Sequence, residues 1–345
     1  MSETDMSASQ TNQSQNGAPQ NGAPQNSAPQ NSAPITFLSH ATGDCPPDLL
    51  ARATAGTPPA FVFVRAIGDA VLQTAQQAYA ANLIRPILVG EPDIIADDAK
   101  KLGWDLEGVE IVESAGEQGA IDAAIKLIQD GRASGLIKGQ LHTDVFMGGI
   151  VKRDAGIRIG KRLVHVFAML PPAGGRALLI SDAAVNVAPD IETRSEAALL
   201  MADLVRKLGQ ERPKVAVLSA TESILDAVPS SGEARMIANM AGARDDQADY
   251  AGPLSFDLAI SPEAVAMKKL EADAPVLAVA GMADALVVPD IVSGNVLFKS
   301  LVWCAGGLAA GLVLGGGVPI VLTSRSDPPA ARLASIALAV IAGKD

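Results

Sequence analysis

From residue 58 onward, short aliphatic runs alternate with amphipathic stretches of about three helical turns, and this alternation confines the chain to one class of fold. Residues 61–65, 86–89, 109–112 and 135–137 are rich in Val, Ile, Leu and Phe and too short for helices. Between them, 69–82, 92–102 and 117–130 carry apolar residues at helical spacing behind an acid or a proline, the usual signals of a helix start. A repeated strand-helix-strand order predicts parallel strands joined by crossover helices, hence an α/β fold. Apolar side chains make up 48% of the chain and aromatic ones only 3%. The core is therefore aliphatic, as suits helices packed on strands buried on both faces.

The second half continues the style. Residues 164–170 and 177–180 are close enough to form a hairpin, so a second sheet is expected to be mixed. Residues 190–208 and 262–270 predict helices, 214–218 and 285–288 strands, and 327–341 a last helix. From Leu301 to Ser324 there are 24 consecutive uncharged residues, longer than the roughly 20 needed to span a bilayer. Gly306, Gly307, Gly311, the triplet Gly315-Gly316-Gly317 and Pro319 interrupt it, so a helix end followed by strands at 310–314 and 318–323 is the better reading. No membrane partner is expected.

Residues 1–34 contain four copies of Gln-Asn-Gly/Ser-Ala-Pro between Gln15 and Pro34, a low-complexity segment with nothing to bury, expected to be disordered. It lacks the basic start and apolar stretch of a secretory signal. The 27 basic residues against 38 acidic ones give a net charge of −11, which argues against nucleic acid as a partner. Cys45 and Cys304 lie far apart and outside any Cys/His cluster, which excludes a disulfide framework and points to the cytoplasm.

Nucleotide and hydrolase fingerprints are missing. The segment from Gly156 to Arg162 has three residues between its glycines rather than four, and Arg where a phosphate loop needs Ser or Thr. No Gly-x-Ser-x-Gly elbow occurs, and His40, His142 and His165 are not at metal-ligand spacing. What remains is polar residues set abruptly at the ends of aliphatic runs. They are Lys138; Asp182 and Asn186; Asp290, Gly294, Asn295 and Lys299; and Ser324, Arg325 and Asp327. Each has a plain reading as a helix cap or surface turn, and Ser324 or Asp327 would cap the last helix well. A helix start with an Arg beside it also makes an anion site. Four such strand ends together suggest a polar cleft.

The stretches Leu136-Ile137-Lys138-Gly139, Leu179-Ile180-Ser181-Asp182 through Asn186 to Asp190, Val288-Pro289-Asp290 through Gly294-Asn295, and Val321-Leu322-Thr323-Ser324-Arg325-Ser326-Asp327 resemble the phosphate acetyltransferase/phosphate butyryltransferase family. His142-Thr143-Asp144 and His165-Val166-Phe167 further resemble the acetyltransferase module of bifunctional hydratase fusions. The resemblance implies two α/β domains with a central cleft, in the architecture of isocitrate and isopropylmalate dehydrogenases. Residues 35–160 plus 317–345 would form one domain and 161–316 the other, usually in a homodimer. It implies reversible acetyl transfer between CoA and phosphate, with CoA as substrate, no other cofactor and no metal. Ser324 would bond the sulfur, Arg325 would hold the phosphate and Asp327 would act as base. Lys138, Thr143, Asp182, Asn186, Asp290, Gly294, Asn295 and Lys299 would bind substrate. The sequence departs from the acetyl branch at Ala331, where that branch places a carboxylate, and at Gly148, where many relatives carry a basic residue. A butyryl preference, or binding of CoA and phosphate without turnover, stays open at this point.

Overall fold

A computed structural model describes residues 37–39, 43–160, 162–323 and 327–344. The low-complexity segment 1–34 lies outside the described residues, as do His40, Ser324 and Arg325. The first half runs α1 (Pro47–Ala53), β1 (Ala60–Val64), α2 (Asp69–Ala80), β2 (Arg85–Gly90), α3 (Pro92–Lys101), β3 (Glu110–Glu113), α4 (Gly116–Gln129), β4 (Leu136–Lys138) and α5 (Thr143–Val151). The second runs β5 (Val164–Leu170), β6 (Leu178–Ser181), α6 (Ile191–Lys207), β7 (Lys214–Leu218), α7 (Pro229–Gly242), β8 (Asp249–Leu254), α8 (Phe256–Ile260), α9 (Pro262–Lys268), α10 (Ala274–Val279), β9 (Ala285–Val287) and α11 (Ile291–Ala305). The chain closes with β10 (Leu308–Leu314), β11 (Ile320–Val321) and α12 (Pro329–Ala342).

These strands form one mixed sheet in the order β3-β2-β1-β4-β11-β10-β5-β6-β9-β7-β8. Both flanks are parallel, as the alternation predicts: β3-β2-β1-β4-β11 on one side and β6-β9-β7-β8 on the other. The middle is antiparallel, with β10 paired to both β11 and β5, and β5 to β6. The separate second sheet expected from the sequence is thus continuous with the first, because the uncharged run after Leu301 supplies β10 as the strand that joins them. Among the described residues no helix is long and apolar enough to cross a membrane.

Strand side chains alternate between two buried layers, as a pleat requires. Phe61 and Phe63 face one layer and Val62 and Val64 the other; Val215 and Val217 alternate with Ala216 and Leu218 in the same way. Helix α12 lies within the first layer and is buried at every position from 334 to 341, which explains its alanines: small side chains let it pack closely on all sides.

Three departures from the sequence reading have physical causes. Strand β8 contains Gly252-Pro253, which reads as a turn; it survives because β8 ends the sheet, where a residue without an N–H leaves no inner ladder bond unmade. Helix α5 contains two glycines and was not expected. A Cβ at Gly149 would lie 2.4 Å from Ile121 Cγ1, so the glycine lets α5 press onto α4. The strand expected over 318–323 shortens to β11, since Pro319 cannot donate to the ladder, although its carbonyl accepts from Leu136 N at 3.1 Å. The segments near residues 160 and 317, where the resemblance puts the domain boundaries, run side by side, with an isolated bridge between Arg158 and Gly316 and Gly317 N donating to Ile157 O at 2.7 Å.

Candidate functional site

The C-terminal ends of β4 and β11 and the starts of α5, α12 and β10 surround a cavity of about 640 Å³, closed along one side by α11. That volume suits a ligand of cofactor size. Of the residues proposed from the sequence, Lys138, Thr143, Asn295, Lys299 and Asp327 line it. Ser324 and Arg325 lie outside the described residues, while Thr323 and Asp327 on either side of that segment both line the cavity. A second cavity of about 340 Å³, walled by Arg52, Arg176 and Asp284, holds none of the strand-end residues.

The other four proposed residues build the site from behind. Asp182 is buried, and its carboxylate accepts from His165 N (3.0 Å), Ala184 N (2.9 Å), Val185 N (2.9 Å) and Asn186 Nδ2 (2.7 Å). Asn186 Nδ2 also donates to Leu163 O at 2.9 Å. The carboxylate is thereby committed to its own neighbourhood, and the turn after β6 is fixed. Asp290 caps α11 by accepting from Ser293 N at 2.9 Å. Gly294 seats that helix on the turn: a Cβ there would meet Asp182 O at 2.4 Å. The next residue, Asn295, reaches the Ala183 carbonyl at 3.4 Å. Neither Asp182, Asn186, Asp290 nor Gly294 lines the cavity.

The apolar wall went unread in the sequence. His165 and Phe167 from β5 form one side, and Phe298, Val302 and Trp303 from α11 the other. The Phe167 and Phe298 rings stack with centroids 4.0 Å apart, and His165 meets Phe167 edge-on at 4.4 Å. Lys299 Nζ stands 5.9 Å from the Phe298 ring centre. Burial pushes the His165 imidazole well below its ordinary pKa, against the pull of Asp182 and a hydrogen bond with the Leu322 backbone, so it is neutral near pH 7. Its Nδ1 has no hydrogen-bond partner among the described residues. Only the spacing of Phe298, Val302 and Trp303 along one helix could have signalled this wall, and aromatics at helical spacing read first as core. Trp303 is 62% exposed, which marks it as the open end.

A second network steadies the start of α5. Glu117 accepts from His142 N at 3.0 Å and from its ring Nδ1 at 2.9 Å, and Arg65 bridges toward Glu91 (3.4 Å) and Glu117 (3.5 Å). Those contacts hold Glu117 below the usual carboxylate range, the hydrogen bonds from His142 above all. Thr143, next in sequence, is thereby fixed at the cavity rim. Among the described residues the site offers two lysines, one carboxylate, one side-chain amide, two hydroxyls and the His165 imidazole around an aromatic slot. It can hold a polyanionic ligand with an apolar arm and present acid-base groups to it.

Comparison with known proteins identifies the family. The family described as Phosphate acetyl/butaryl transferase matches residues 118–340. A phosphate acetyltransferase of Rhizobium meliloti is 39% identical over 85% of this chain and 92% of its own. A phosphate butyryltransferase of Clostridium acetobutylicum is 31% identical over 79% of this chain and 89% of its own. Among solved structures, a branched-chain phosphotransacylase from Enterococcus faecalis superposes with a TM-score of 0.72 and 30% identity, covering 83% of this chain and 99% of that one. The chain belongs to the phosphate acetyl/butyryl transferase family of acyltransferases.

Proposed function

We propose that this protein transfers an acetyl group reversibly between CoA and inorganic phosphate, forming acetyl phosphate and free CoA. The observation that carries the proposal is the convergence of Lys138, Thr143, Asn295, Lys299 and Asp327 on one cavity with an aromatic side. Acetyl is preferred over butyryl because the acetyltransferase relative stands nearer in sequence than the butyryltransferase one.

In this reading the pantetheine arm of CoA lies along Phe298, Val302 and Trp303, with Lys299 near its phosphates. A phosphate oxygen attacks the thioester carbonyl, negative charge gathers on the carbonyl oxygen, and the tetrahedral adduct collapses to acetyl phosphate as the thiolate leaves. Cationic and hydrogen-bonding groups aimed at that charge lower the barrier; one such donor is commonly worth about 10²–10³ in rate. Asp327 takes the proton that the attacking hydrogen phosphate gives up and passes it to the departing thiolate. In the reverse direction it removes the thiol proton, since a free thiol with a pKa of about 8.5 is mostly protonated at neutral pH. Ser324 is assigned to the sulfur and Arg325 to the phosphate. Residues 35–160 with 317–345 make one α/β domain and 161–316 the other, in the isocitrate/isopropylmalate dehydrogenase arrangement. The working form is a cytoplasmic homodimer.

The test is thiol release from acetyl-CoA, followed with a thiol-reactive dye, with and without phosphate and in parallel with butyryl-CoA. Phosphate-dependent release is expected, with the higher kcat/KM for acetyl-CoA. No phosphate-dependent release from either thioester overturns the reading, and a higher kcat/KM for butyryl-CoA overturns the acetyl preference.

A further inference from the structure

Behind the cavity wall, the first turn of α12 holds a charge that the roles assigned so far leave unused. Arg332 is only 7% exposed. Its Nε donates to Thr74 Oγ1 of α2 at 2.7 Å, and its Nη1 donates to the Asp327 carbonyl at 2.7 Å. Both acceptors are neutral. Among the described residues Arg332 forms no ion pair, and Asp327 acts on its charge only from beyond that distance. A buried arginine is nearly always paired with an anion, because an uncompensated cation in a low-dielectric interior is strongly unfavourable. The two hydrogen bonds use two of the five N–H groups that a guanidinium carries.

Arg332 also lines a small chamber of about 20 Å³ together with Thr74, Gly139, Lys138 and Thr323. The last two belong to the large cavity as well, so the chamber is an extension of it. Its volume takes about one water-sized group. A buried, forked cation with no ion pair among the described residues thus faces a one-oxygen chamber that adjoins the proposed site of reaction.

We propose that Arg332 is a second cationic contact for the phosphate substrate: one phosphate oxygen enters the chamber beside Lys138 and accepts from the Arg332 guanidinium. The same guanidinium, through the Asp327 carbonyl, holds the turn that carries the acid-base group, so phosphate binding and the position of Asp327 are coupled. This inference rests on the acyl-transfer reading above. It explains why the first turn of α12 carries an arginine among alanines: a hydrophobic residue would fill the space equally well and would leave the phosphate oxygen uncompensated.

The test is steady-state kinetics of wild type, Arg332→Met, Arg332→Lys and Thr74→Val, with the KM for phosphate and the KM for acetyl-CoA measured separately. Arg332→Met is expected to raise the phosphate KM at least about tenfold, the loss of one charge-assisted hydrogen bond, with the acetyl-CoA KM within about twofold of wild type. Arg332→Lys, which keeps the charge and loses the fork, falls between. Thr74→Val keeps the whole guanidinium and removes its anchor, and raises the phosphate KM about threefold. An unchanged phosphate KM in a folded Arg332→Met overturns the proposal, as does an equal rise in both KM values, which a purely structural role would give. Should Arg332→Met fail to fold, unchanged phosphate KM values in Arg332→Lys and Thr74→Val overturn it instead. A wild type with no phosphate-dependent CoA release refutes the acyl-transfer reading, and the Arg332 assignment with it. A wild type that turns over beside an indifferent Met variant refutes Arg332 alone.

Discussion

Substitution of Gly294 by alanine tests whether α11 is seated as described. A Cβ there meets Asp182 O at 2.4 Å, Val288 Cγ2 at 3.1 Å and Ala183 Cα at 3.2 Å. The methyl side chain can bend, but the carbonyl cannot withdraw cheaply, because the Asp182 carboxylate pins its own turn through four N–H donors. The helix must therefore yield, and reaching an ordinary carbon-oxygen contact takes a shift of about 1 Å. That shift moves Asn295, Phe298, Lys299 and Trp303 together, since all four ride on the same rigid helix. A 1 Å misplacement of binding groups costs about 10² in rate, or roughly 2.7 kcal/mol of transition-state stabilisation. Overpacking costs about 1–3 kcal/mol of stability, of which up to about 1 is returned by the better helix propensity of alanine. The measurements are denaturant unfolding and kcat/KM for acetyl-CoA. Gly148→Ala is the paired control: its Cβ would meet nothing within 4 Å, so it should be neutral or gain up to about 1 kcal/mol. A folded Gly294→Ala protein with kcat/KM within about threefold of wild type would refute the seating argument.

Asp182→Asn replaces an acceptor of four donors by a group whose own N–H faces them, and should cost about 2–4 kcal/mol in denaturant unfolding. His165 has a folded pKa below its unfolded one, so the unfolded chain binds its proton first. Stability should be level above about pH 6.5 and fall below it by up to about 1.4 kcal/mol per unit, and His165→Gln should flatten that slope in chemical denaturation at about pH 7.5 and 5.5. Arg194 is buried and pairs with half-exposed Glu233 at 2.8 Å, while its Nε and Nη2 have no hydrogen-bond partner among the described residues. Glu233→Ala, which strands the cation, should therefore destabilise the protein more than Arg194→Met, which removes it; unfolding midpoints in the opposite order would contradict this.

The parallel flanks of the sheet were legible because their strands are buried on both faces and their helices start with acids or prolines; Asp190 and Asp290 cap α6 and α11 by accepting from Thr193 N and Ser293 N. The continuous sheet was not legible, since the pairing of β10 with β5 and of β11 with β4 joins segments far apart in sequence. Strand β8 and helix α5 were hidden by glycines and a proline whose tolerance depends on tertiary position: the end of a sheet, and close approach to Ile121. The candidate site divided along a similar line. A polar residue at a strand end is visible in sequence, but its direction is not. Lys138 and Asp327 line the cavity, whereas Asp182 turns back to its own backbone and supports the site from behind. Arg332 escaped notice because it sits in the alanine-rich start of a helix, away from any strand end.

The net charge of −11 acquires a physical meaning once the cations are located. Phosphate, CoA and acetyl phosphate are all anions, so the protein as a whole repels what it is proposed to bind. That repulsion acts through solvent and fades over about 10 Å at 0.1 M salt. The attraction of Lys138 and Arg332 acts across a few ångströms within or behind a cavity wall, where water screens it less than at the open mouth that holds exposed Lys299. The balance therefore changes sign with distance: anions gain nothing from the outer surface and are stabilised only inside. An acidic exterior with cations gathered at and behind one cavity suppresses non-specific binding of anions while leaving specific binding intact, and a more basic surface would forfeit that selectivity. Selectivity then depends on how completely each interior charge is compensated by the chain itself. Asp182 is saturated and cannot take part, whereas Arg332 retains donors beside an adjoining chamber, which is why the phosphate is assigned to that end of the cavity.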